Sequence, residues 1–295
     1  MIDIKERKWS IAGHILMIIL SVLAIAPFIL LLMSSITDET AALRNGYSFF
    51  PEKFSLDAYK YIAGQWEVIG KAYLVSIFVT VVGTIVGVLI SAMLAYTLSK
   101  PDLPGRSLLM FLLIFTMLFN GGLTATYIVY TQIFHIKDTI FGLLLPNLLM
   151  NAYFVVMFKN YFEYTLPAAL VESARIDGAT EFRVFRSIAI PLSMPMFVTV
   201  GMTTALTYWN DWTNGMYFLS TNSKIQSVQT ILNNINENIK FLQQNNVGTA
   251  VSTADLPSVT IRMAIAIVGI LPMLALFPIF QKWFVKGATA GAVKE

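Results

Sequence analysis

Six stretches of the chain, 9–37, 72–99, 107–136, 139–158, 187–210 and 263–281, contain no Asp, Glu, Lys or Arg. Each reaches the roughly 18 to 20 residues that an α-helix needs to cross a bilayer core. In hydrocarbon every backbone amide must be paired inside its own segment or in a closed barrel. Long apolar runs without period-two alternation select helices over barrel strands. The sequence therefore predicts an all-α, multi-pass membrane protein. Its six transmembrane helices are expected at about 12–36, 73–98, 107–131, 139–160, 195–218 and 262–284, in a single domain over 1–295. Charge content agrees: 13% of the 295 residues are charged, against about 25% in soluble domains.

Basic residues set the expected orientation, because short cytoplasmic loops are enriched in Lys and Arg. With the N-terminus inside, 12 of the 20 Lys and Arg fall on the cytoplasmic side, among them Lys5, Arg7, Lys8, Lys100, Arg106, Arg175, Arg183 and Arg186. Both termini are then cytoplasmic. The net charge of +3 is this orientation signal and gives no reason to expect a nucleic-acid partner. The first apolar run is too long for a signal-peptide core, and no small-x-small cleavage site follows it. There is no cysteine, and the two histidines, His14 and His135, lie far apart. No metal site or thiol chemistry is expected, and no cofactor bound by this chain.

Between the apolar runs the punctuation is informative. Residues 38–71 are long enough to fold a small outer cap. The turn from Ser99 to Arg106 carries Pro101, Pro104 and Gly105 and joins two helices. Asn120-Gly121-Gly122 interrupts the third run and predicts a helix end there, followed by a short interfacial segment. Gly83 and Gly87 have the spacing that lets two helices approach closely, which suggests packing within the bundle. The polar outer loop 219–260 is open to two readings, a contact for a soluble partner or a solvated loop.

The segment 163–191 departs from the rest. Pro167 to Ile176 reads as a helix opened by proline, and Asp177-Gly178 as a turn in which glycine takes a left-handed conformation. A second helix is expected from Thr180 to about Ala189, stopped by Pro191, with Phe182, Phe185 and Ile188 as its apolar face. The run Glu172-Ser173-Ala174-Arg175-Ile176-Asp177-Gly178-Ala179, with Ile188-Ala189-Ile190-Pro191 nine residues after the glycine, resembles the EAA loop of ABC importer permeases. That motif reads Glu-Ala-Ala, three residues, Gly, nine residues, Ile-x-Leu-Pro. Ser173 and Ile190 are small departures from it.

The Ile-Asp-Gly-Ala version is similar to that of carbohydrate importers. Segments 48–62 and 120–146 resemble the oligosaccharide and polysaccharide subgroup, with Ala125 where that subgroup usually has proline. Residues 284–294 are similar to the tail of the maltose-type second permease. This resemblance implies the type I permease fold in a bacterial cell membrane, surrounded by lipid. It implies three partners: a second, homologous permease, an ABC ATPase dimer using ATP and Mg, and an extracytoplasmic solute-binding protein. Carbohydrate is the implied substrate. It also implies that Glu172, Ala174, Asp177, Gly178, Ile188 and Pro191 form the ATPase-coupling site. Consistent with a partner that supplies the energy, no Gly-x-x-x-x-Gly-Lys-Ser/Thr phosphate loop occurs in this chain.

Trp209-Asn210-Asp211-Trp212 combines flat rings, an amide and a carboxylate, a chemistry suited to sugars, so these four are candidate pathway residues. Asp211 lies within an expected span, where a charge needs water or a partner. Arg262, at the start of the sixth span, is the partner expected for it. Three other readings compete: import of a non-sugar solute, a membrane-embedded transferase or hydrolase, and an ion-coupled carrier. The last two would need a catalytic constellation or midplane ionisable groups, and neither is evident in the sequence.

Overall fold

The computed structural model describes residues 4–220, 222–244 and 258–292. Along the chain the helices are α1 (Ile4–Ser35), α2 (Glu39–Asn45), α3 (Asp57–Gly64), α4 (Trp66–Leu98), α5 (Arg106–Leu118) and α6 (Gly122–Ile128). Then come α7 (Phe141–Leu144), α8 (Ala152–Thr165), α9 (Ala168–Ile176), α10 (Glu181–Val184), α11 (Ile190–Leu192) and α12 (Met194–Asn210). The last three are α13 (Thr213–Phe218), α14 (Val228–Gln244) and α15 (Ser258–Ala292). Wider π-helical turns follow α6 at Val129–Ile133 and α10 at Phe185–Ala189. The expected tail 284–294 continues α15 as far as Ala292, and its last two residues lie outside the described chain, as does 245–257 of the outer loop.

Three helical stretches are long and apolar enough to cross a membrane, Trp9–Ser35, Trp66–Leu98 and Val259–Pro278. Two bent pairs raise the number to five among the described residues: Arg106–Leu118 with Gly122–Ile133, bent by 115°, and Glu181–Leu192 with Met194–Asn210, bent by 83°. The helix expected over 107–131 is thus broken, and at the predicted place. Phe119 is extended, and the Asn120 side chain accepts a hydrogen bond from the Gly122 N–H at 2.8 Å, closing a turn that leaves the helix axis.

The helix expected over 139–160 differs more. It consists of the one-turn α7, an irregular stretch over 145–151, and α8. Pro146 withholds a backbone donor, and Asn147 adopts a positive φ of 60°. Two buried carbonyls around this break are satisfied by side chains: the Tyr208 hydroxyl donates to the Leu144 carbonyl at 2.8 Å and the Asn214 amide to that of Pro146 at 2.9 Å. Irregular backbone away from water needs partners supplied by the protein in this way.

Packing divides the chain into two compact units, one of 1–69 with 234–272 and the other of 70–233 with 273–295. In the first, residues 38–71 do fold into a small cap. Residues 36–38 pair with 53–55 through an isolated antiparallel bridge between Thr37 and Phe54. Ser35 hydrogen-bonds the Tyr59 hydroxyl of α3 at 2.8 Å. The Thr40 hydroxyl and the Lys53 ammonium pull the Asp38 carboxyl down to about 2. Glu39 accepts the N–H groups of Val259 and Thr260 at 2.9 and 3.0 Å and the Thr260 hydroxyl at 2.7 Å. A carboxylate thus satisfies first-turn donors of α15 that have no intrahelical partner.

The second unit is built on α4. Its Gly83 lies under the Tyr208 ring of α12, where an added Cβ would come within 2.3 Å, and a Cβ at Gly87 would meet the Leu149 carbonyl oxygen at 2.6 Å. The pair serves packing within the bundle, as its spacing suggested. A buried cluster then joins Val88, Ala92, Ala95, Tyr96 and Leu98 of α4 to Val155, Phe158 and Phe162 of α8 and to residues of the 163–191 segment.

Candidate functional site

The segment 163–191 forms a helical hairpin, and its turn follows from local chemistry. Helix α9 ends with Asp177, and Gly178 takes a φ of 78°, left-handed, where a side chain would be strained. The Ala179 N–H donates to the Ala174 carbonyl at 2.9 Å and the Gly178 N–H to that of Arg175 at 3.0 Å. These are the two bonds of a Schellman closure. Ala174 and Ala179, the positions such a closure brings together, both pack on the buried cluster. Among the expected coupling residues, Ala174 and Gly178 therefore build the turn. Glu172 and Asp177 stand exposed on the arm it terminates, and no residue of α9 is buried.

The second arm is rooted in the protein. Thr180 caps it by accepting from the Arg183 N–H at 3.3 Å. Val184, Phe185 and Ala189 are buried, and Ile188 packs against the same cluster. Two expectations need correction here. Phe182, assigned to the apolar face, is 62% exposed. The inward face is instead Val184, Phe185, Ile188 and Ala189, one stripe of a helix, and Phe182 lies nearly opposite Val184. Nor does Pro191 stop the helix. It lies exposed within α11, and the chain turns at Ser193, after which Pro195 starts α12 in the first-turn position that suits a residue without an N–H.

Two carboxylates that the sequence did not single out organise the hairpin's base. Glu163 pairs with Lys159 and, at 3.0 Å, with Arg106, whose Nε also donates to the Leu98 carbonyl at 2.9 Å. The Lys159 ammonium, and then Arg106, hold the Glu163 carboxyl below its ordinary range against the opposing effect of burial. Glu181 gathers three donors: the Lys100 ammonium, the Arg175 Nε at 3.0 Å and the Tyr96 hydroxyl at 3.2 Å. Partial burial works against its charge, but Lys100, Arg175 and Tyr96 together bring its carboxyl below the usual value. The only sequence signal for Glu181 was its placement next to the N-cap Thr180.

The four candidate pathway residues separate. Trp209 is 3% exposed, its ring 6.1 Å from that of Tyr73. Trp212 is exposed. Asn210 and Asp211 line a cleft of about 390 Å³ with Leu148, Thr203, Leu206, Thr207 and Thr213. The Asp211 carboxylate also accepts the N–H groups of Thr213 and Asn214 at 3.1 and 3.3 Å, at the start of α13. Backbone donors thus supply part of the compensation that this charge needs. The hydroxyls of Thr203 and Thr207 donate to the carbonyls of Thr199 and Thr203, both at 2.9 Å. Their lone pairs remain as acceptors on the cleft wall.

Known proteins share this architecture. The model of the family described as "binding-protein-dependent transport system inner membrane component" matches residues 87–289. The polygalacturonan/rhamnogalacturonan transport system permease protein YtcP of Bacillus subtilis is 35% identical over 98% of this chain and 99% of its own. Protein LplC of the same organism is 35% identical over 92% of this chain and 90% of its own. A bacterial ABC transporter involved in the import of the acidic polysaccharide alginate has a chain that superposes with a TM-score of 0.78. It is 27% identical and covers 96% of this chain and 99% of that one. With a family match over residues 87–289 and relatives aligned almost end to end, this chain belongs to the inner-membrane components of binding-protein-dependent transport systems.

Proposed function

We propose that this chain is a permease subunit of an ATP-driven importer of oligosaccharides. In this reading it crosses the bacterial cell membrane six times with both termini in the cytoplasm and supplies half of the translocation path. A second permease supplies the other half, an ATPase dimer consumes ATP with Mg, and an outer solute-binding protein delivers the solute. The chain itself performs no catalysis and holds no cofactor. The observation that carries the reading is the hairpin: one arm with no buried residue, turned by Gly178 and rooted through a second arm in the core. A rigid knob of this kind passes motion from a socket to the bundle as a rigid body, where a flexible loop would absorb it.

Carbohydrate as the solute is supported by the relatives that align almost end to end, and by the acceptor-lined cleft at Asn210 and Asp211. Sugar hydroxyls are donors that such a wall can receive. The chain, affinity-purified from its native membrane, is expected to bring an ATPase and a second permease with it. In proteoliposomes the complex is expected to take up oligosaccharide when ATP is supplied and to continue after ionophores collapse the ion gradients. Isolation without an ATPase, or uptake that tracks an ion gradient, would overturn the reading. ATP-driven uptake of non-sugar solutes alone would move it to the competing substrate class.

A further inference from the structure

The hairpin has two routes by which a push on it can enter the spans. One is covalent: the second arm runs through Ser193 into α12 across the 83° bend. The other is non-covalent and leads to α4, and it converges on one side chain. Glu181 accepts from Arg175 on the first arm and from Lys100 and Tyr96 at the end of α4. The Tyr96 ring packs on Phe185 of the second arm, with centroids 5.2 Å apart, and edge-on to Phe162 of α8 at 5.8 Å. The Lys100 ammonium lies 4.7 Å from the centroid of the same ring. Remove the carboxylate and the Lys100 and Arg175 cations lose the anion they share.

We propose that Glu181 is the positioning residue that clamps both arms of the coupling hairpin to the end of α4, so that motion of the hairpin moves α4 together with α12. Single exposed ion pairs contribute little, but one carboxylate shared by two cations and a hydroxyl fixes geometry that no pair fixes alone. The clamp differs in kind from the exposed first arm. It faces the chain's own helix, and its loss leaves the docking surface intact. This inference rests on the reading of the hairpin as a coupling element.

The test uses the complete importer complex, purified through this chain and reconstituted, with Glu181→Gln, Lys100→Met and the double variant. Two quantities are read: the ATPase retained through size exclusion, and solute carried per ATP hydrolysed. Glu181→Gln is expected to retain the ATPase and to lower solute per ATP roughly three- to tenfold. Lys100→Met is expected to lower it less, and the double variant to fall no further than Glu181→Gln alone. An unchanged ratio in Glu181→Gln overturns the clamp, and so do losses that multiply in the double variant. Loss of ATPase retention also overturns it and makes Glu181 a docking residue. A wild-type complex without ATP-driven uptake defeats the functional reading instead, whatever the variants do.

Discussion

The two arms of the hairpin are adjacent in sequence and opposite in design. In the first, Leu170 and Ile176 are exposed, Ile176 to 86%, and nothing is buried. In the second, Val184 and Phe185 are 1% and 4% exposed. The first arm touches the chain's own core only through the half-buried Val171 and Ala174. The second arm draws its stabilisation from the chain's own core. The contrast separates residues open to solvent from residues committed to the fold, although both kinds occur within one motif.

The largest expected effect that would break this comparison is on the buried arm. Phe185→Ala removes a ring packed against Tyr96 and Phe162 and is expected to cost about 3–5 kcal/mol, read as a lower unfolding midpoint of the detergent-solubilised protein. If the midpoint does not move, the arm is not rooted as described. Gly178→Val comes next. A β-branched residue at φ 78° should cost about 1–2 kcal/mol and loosen the angle between the arms, so solute uptake should fall more than ATPase retention. The smallest stability effect belongs to the first arm. Glu172→Lys is expected to change the unfolding free energy by no more than about 0.5 kcal/mol while releasing the ATPase from the purified complex. A large stability loss with retained ATPase would reverse the roles of the arms.

What was legible in the sequence was what local chemistry decides. The hairpin, its left-handed glycine, the break at Asn120 and the close approach at Gly83 and Gly87 follow from residue type and spacing, and the structure has each of them. What was not legible depends on contacts distant in sequence. Three-residue spacing placed Phe182 on the inward face, but the core of α4 and α8 takes Val184, Phe185 and Ala189, and Phe182 lies about 200° of helix rotation from Val184. The unwound stretch at 145–151 reads as an apolar helix until Tyr208 and Asn214 are brought to its carbonyls. Trp209 and Trp212 are three residues apart and equivalent in composition, yet one is sealed against Tyr73 and the other is open. Glu181 is one of 17 carboxylates, and only the fold distinguishes it.

The contact of Glu39 with the start of α15 spans 220 residues of chain. During synthesis at about 5–20 residues per second, the cap's carboxylate precedes its α15 donors by on the order of ten to forty seconds. Closing so long a loop is also among the entropically costlier steps for any chain. The cap around Glu39 therefore cannot reach its final form until the start of α15 has been made.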